Sequence, residues 1–112
     1  MNPVYPIEST GLTDLVGHFI KADGAGGFTA VDGATDLHVG CLDHALSATK
    51  GGLAVVGART RVKVTGAVSQ FGFGKLNADA TASAYTGGEG EVRCCQFLQA
   101  GTDGELVNAV IM

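Results

Sequence analysis

From Leu15 onward the apolar residues fall in short runs, and nowhere do they hold a 3.6-residue period long enough for an amphipathic helix. The runs predict strands at about 15–21, 27–31, 37–43, 53–57, 59–65, 74–77, 92–99 and 105–112. Between them stand Asp23-Gly24, Asp32-Gly33, Gly51-Gly52, Gly87-Gly88 and Asp103-Gly104, which supply the positive φ or side-chain-capped bends of tight turns. Residues 43–50 hold one helical turn at most. The closing run Ala109-Val110-Ile111-Met112 carries no polar side chain, which predicts that it pairs inside a sheet. The expected fold class is all-β.

The runs also repeat. The first half reads Gly17-His18-Phe19-Ile20-Lys21-Ala22-Asp23, then Leu37-His38-Val39-Gly40-Cys41, then Gly51-Gly52-Leu53-Ala54-Val55-Val56. The second reads Gly72-Phe73-Gly74-Lys75-Leu76-Asn77-Ala78-Asp79, then Val92-Arg93-Cys94-Cys95, then Asp103-Gly104-Glu105-Leu106-Val107-Asn108-Ala109-Val110. Asp23 aligns with Asp79 at 56 positions and Leu53 with Leu106 at 53, so the halves match with one slip. Two or three strands alone cannot bury an apolar face, whereas two such units closed on each other can. The expectation is a small β-barrel or β-tulip-like domain over residues 15–112, built from two degenerate half-repeats.

Residues 1–14 read as a separate extended arm. Pro3 and Pro6 interrupt ladder pairing, and Ser9-Thr10-Gly11 reads as a turn. Val4, Tyr5, Ile7 and Leu12 are nonetheless apolar, which predicts that the arm docks on another chain and that its removal leaves the β domain folded.

A chain of 112 residues supports one domain able to bury roughly two-thirds of its unfolded surface. Charged residues make up 16%, well under the ~25% of an ordinary domain, against 46% hydrophobic. That combination excludes disorder and is compatible with a surface partly covered by partner protein. The net charge of −4 argues against wrapping nucleic acid, which demands a dense cationic footprint. No apolar run approaches the ~20 residues of a membrane span. The start, Met1-Asn2-Pro3-Val4-Tyr5-Pro6, has neither the basic nor the apolar region of a signal peptide. Three cysteines, two of them adjacent at Cys94 and Cys95, suit reduced thiols in a protein made in a cytosol.

Chemistry-bearing patterns are sparse. His38, Cys41 and His44 have metal-ligating side chains at spacings of three, but i and i+3 diverge on a strand and no second cluster completes a tetrahedron. Glu89 and Glu91 read as a solvated loop, and no nucleophile stands in a recognisable motif. The expectation is a non-enzyme with no metal and no cofactor. Across Arg59-Thr60-Arg61-Val62-Lys63-Val64, alternation puts Arg59, Arg61 and Lys63 on one face as a cationic ridge for an acidic partner, or as an ordinary solvated edge. Phe71 and Phe73, flanked by glycine, lie on one side of a loop and are candidates for a subunit contact.

Several of these segments together resemble the small capsid decoration, or head cement, proteins of tailed bacteriophages. They are Gly17 with Lys21-Ala22-Asp23-Gly24, Leu37 with Val39-Gly40, and Arg61-Val62-Lys63-Val64-Thr65-Gly66-Ala67-Val68. Gly74-Lys75-Leu76-Asn77-Ala78-Asp79 and Asp103-Gly104-Glu105-Leu106-Val107 complete the set. The resemblance implies a structural virion protein, made in the host bacterial cytoplasm, that sits on the capsid exterior and stabilises the assembled head. It implies the major capsid protein as partner, a trimer as oligomer, and Pro3, Val4, Tyr5, Pro6 and Ile7 of the arm as capsid contacts. The alternative is a small β-barrel that binds sugar or another small ligand without catalysis.

Overall fold

The computed structural model describes residues 2–112, which form ten strands and a single 3-10 turn at Leu12–Asp14. The strands are β1 (Val4–Glu8), β2 (Phe19–Ala22), β3 (Phe28–Ala30), β4 (Gly40–Ala45) and β5 (Lys50–Ala54) in the first half. The second half supplies β6 (Arg59–Lys63), β7 (Phe73–Leu76), β8 (Ala82–Ala84), β9 (Arg93–Phe97) and β10 (Leu106–Ile111). The all-β expectation holds, with β1 and β8 the two strands that the apolar pattern did not predict.

Each half makes its own five-stranded antiparallel sheet, and the two orders are the same: β1-β5-β4-β2-β3 and β6-β10-β9-β7-β8. Cys41 pairs with Phe19 on one side and Ala54 on the other; Cys95 pairs with Gly74 and Ile111. Those registers make Cys41 equivalent to Cys95 and Ala54 equivalent to Ile111. The alignment of Leu53 with Leu106 is therefore displaced by four residues. Glycine and valine recur too often for composition alone to hold a register.

The sheets pack against each other but do not close into a barrel. No strand pairs with the outer edge of β6, which meets only single groups from the first half. The Lys63 N–H donates to the Gly17 carbonyl at 2.8 Å, and the Asn2 side chain bonds the Arg59 backbone.

One core lies between the sheets. Phe19, Cys41 and Ala54 come from the first, and Val62, Leu76, Cys95, Phe97, Val107, Ala109 and Ile111 from the second. A smaller cluster of Ile7, Leu12, Ile20, Leu42 and Leu53 covers the other face of the first sheet. Burial on both faces explains the consecutive apolar pairs Phe19-Ile20, Cys41-Leu42 and Leu53-Ala54.

Residues 2–14 are not a free arm. β1 runs antiparallel to β5 from Val4–Ala54 to Glu8–Lys50, and Leu12 is buried beneath the first sheet. Within the strand, Pro6 is tolerated because of where its missing N–H would point. Val55 donates to the Pro3 carbonyl and Ser9 donates to the Thr49 carbonyl, so the alternating ladder turns Tyr5 and Ile7 toward β5. Pro6 falls at a position facing away from β5, where no ladder bond is lost and the sheet edge is blunted.

Gly51-Gly52, expected as a turn, lies inside β5. A Cβ on Gly52 would collide with the His44 ring across the sheet, and one on Gly51 with the His44 carbonyl. The turn comes earlier, where the Ser47 hydroxyl accepts the N–H groups of Thr49 and Lys50.

Candidate docking face

On β6, Thr60 and Val62 are buried, so Arg59, Arg61 and Lys63 project from the outer face of the second sheet as expected. Register extends that face across the sheet. Arg61 lies opposite Asn108, Arg59 opposite Val110, Val110 opposite Gln96, and Gln96 opposite Phe73. Lys75 lies opposite Arg93 on the same side. Five of the seven basic residues of the chain thus stand on the strands of this sheet, and those strands contain no carboxylate. All five acids of residues 59–112 are in its loops, while residues 1–58 hold six acids against Lys21 and Lys50. Net charge hides this segregation.

Arg93 was not singled out by the sequence. Its guanidinium sits 4.6 Å from the Phe73 ring centroid and 5.1 Å from that of Tyr85, a cation–π arrangement that holds an exposed charge in a fixed place. Phe73 is therefore a half-buried platform on the face. Phe71 adopts φ 64, a left-handed conformation unusual for a bulky residue, with its backbone pinned between the Phe97 carbonyl and the Gln96 side-chain amide. The residue is 61% exposed.

Beside β6 the face dips into a cleft of about 580 Å3, lined by Asp43, His44, Arg59, Thr60, Arg61, Leu98, Gln99 and Asn108. Asp43 anchors its wall: Oδ1 accepts from the Thr60 hydroxyl at 2.7 Å and Oδ2 from His44 Nδ1 at 2.9 Å. Partial burial opposes ionisation of Asp43, but the bonds from His44 and Thr60 outweigh it and hold the carboxyl below its ordinary range. Across the cleft the Asn108 amide donates to Gln99 Oε1 at 2.6 Å. Asn108 and Gln99 are brought to Arg61 only by strand order; the polar residue alternating with Val107 and Ala109 was the one available signal.

His38, Cys41 and His44 do not converge. His38 Nε2 bonds the Met112 carbonyl at 2.8 Å and its ring meets Phe19 edge-on, Cys41 is in the core, and His44 is exposed beside Asp43. Among the described residues no group of three His, Cys, Asp or Glu side chains is placed to hold a metal ion. The cysteines are all free and buried. Burial, with Cys95 beside it, pushes the Cys41 thiol up; a hydrogen bond with Cys95, and then burial, does the same for Cys94. Cys94 and Cys95 share one core because the register shifts between Gly74 and Lys75 opposite them.

The expected arm contacts are divided. Ile7 is buried inside the protein itself, whereas Tyr5, 58% exposed, remains available with Pro6 on the edge of the first sheet.

No protein-family model matches this chain, and no curated protein matches it in sequence.

Proposed function

We propose that this chain is a non-catalytic structural protein that decorates and stabilises the assembled head of a tailed bacteriophage, its partner being the major capsid protein. The observation that carries the reading is the charge segregation of the second sheet: a strand-built face with five basic side chains, set on an acidic protein. Such a face is pre-ordered, so little conformational entropy is lost when it docks, and its charge steers it toward an acidic surface. The sequence resemblance to head cement proteins supplies the identity of that surface. A ligand that binds only the assembled lattice stabilises it by mass action, and several copies acting together make modest contacts sufficient.

Phe71 belongs to the same proposal as a contact between copies in a trimer. An exposed ring on a strained backbone is the kind of rigid aromatic that anchors an interface.

The test is co-sedimentation with emptied heads of the parent phage, together with light scattering of the protein alone. Saturable binding that weakens from low to high salt, and that raises the temperature at which heads rupture, is the expected result. Binding to unassembled capsid subunits but not to heads would refute the reading.

A further inference from the structure

We propose that the cleft beside β6 is a carboxylate-binding notch that receives an aspartate or glutamate side chain from the surface this protein docks on. The inference rests on the docking reading above and specifies the chemistry of one contact within it.

The notch has the donors for that ligand. Arg59 and Arg61 are two residues apart on one face of a strand, about 6.5 Å along the chain, and both line the cleft, where their planar forks are available to one carboxylate. Among the described residues neither guanidinium has a carboxylate partner within ion-pair distance, unlike Lys21 and Lys75. Gln99 accepts from Asn108 through Oε1, which leaves its own amide N–H groups free at the cleft wall. The floor is made of β6 and β10, paired from Leu106–Lys63 to Val110–Arg59, so these groups stand on a rigid ladder.

Charge selects the class of anion. Of the lining residues, Arg59 and Arg61 are positive and Asp43 is negative, both of its oxygens already holding Thr60 and His44. The remaining single positive charge matches a carboxylate. A phosphate dianion carries twice that charge and would bring it beside Asp43.

The test titrates the isotopically labelled full chain with the blocked peptide Gly-Gly-Glu-Gly-Gly and follows backbone amide shifts. Saturable shifts at Arg59, Arg61, Gln99 and Asn108 are expected, absent with the Gln counterpart of the peptide and weaker with inorganic phosphate. Arg61→Lys keeps the charge but loses the fork and should remove most of the response; Arg59→Gln with Arg61→Gln should abolish it, with the melting temperature checked for each. Equal shifts from the Glu and Gln peptides, or tighter binding of phosphate, would overturn the notch. Head binding separates the two levels. The double variant should bind emptied heads about tenfold or more weakly at low salt. If it binds as the unaltered chain does, the notch is wrong and the docking reading stands. If the unaltered chain ignores heads, the docking reading fails, and the peptide titration still decides whether the notch binds carboxylate.

Discussion

The side-chain amide of Asn2 pairs with the backbone of Arg59 as a strand would: Nδ2 donates to the Arg59 carbonyl at 2.8 Å, and Oδ1 accepts the Arg59 N–H at 2.6 Å. The residues that follow join β5 in the other sheet, so the start of the described chain ties the two halves together. Asn2→Ala should cost about 1–2 kcal/mol, because two backbone groups on the β6 edge lose their partner. Deleting residues 1–14 should cost much more, since Ile7 and Leu12 are each worth roughly 1.5–3 kcal/mol of burial and their loss uncovers Leu42 and Leu53. Urea denaturation followed by circular dichroism measures both. An unchanged midpoint in the truncated chain would restore the free-arm reading that this structure replaces.

Phe71 offers a separation of stability from assembly. Phe71→Gly should leave the stability of the monomer within about 1 kcal/mol of the unaltered chain, because the strain that glycine relieves at φ 64 is offset by its greater freedom in the unfolded chain and by the lost burial of a ring that is only partly covered. The same variant should lower the mass seen by light scattering and weaken head binding. A folded variant that self-associates as before would show that the ring is no interface anchor.

Acid should weaken the fold in a defined window. Asp36 is held below its ordinary range by the Lys21 ammonium, at 3.0 Å, and by the N–H groups of Asp32 and Gly33. Glu91 is lowered by the Thr86 hydroxyl and the Thr86 and Gly88 N–H groups, Asp23 by the N–H groups of Ala25 and Gly27, and Glu105 by Thr102. A depressed carboxyl contributes stability that is complete above its unfolded value and is lost as pH falls through its folded one. Melting temperature should therefore be level near neutrality and decline below about pH 4.5. Asp36→Asn should flatten part of that decline, as read from paired melting curves across the range.

The thiols should be silent in the native state. Cys41, Cys94 and Cys95 are fully buried, and Cys41 and Cys94 are further disfavoured as thiolates, the nucleophilic form. A colourimetric thiol reagent should therefore react with none of the three until denaturant is added, and then with all three. Rapid native labelling at any of them would mean that the core between the sheets opens.

Alternation and turn chemistry are local, and local signals made the strand class, the half-repeat and the β6 ridge legible from the residues. Arg59, Arg61 and Lys63 stand together because successive strand residues point to opposite faces wherever the strand lies. The strands missed are those whose reasons are distant. β1 pairs despite Pro6 because its neighbour lies on one side only, and Gly51-Gly52 is strand because β1 and β4 flank it, with His44 leaving no room for a Cβ. Register and strand order belong to the tertiary structure for the same reason: a one-residue slip changes which face is buried without changing any local preference. Pairing across the sheet brought Asn108 to Arg61 and Arg93 to Phe73 and Tyr85, and packing of the two sheets brought Asp43 of β4 to Thr60 of β6. The ridge was written in the chain; the cleft beside it exists only once separate strands are laid side by side.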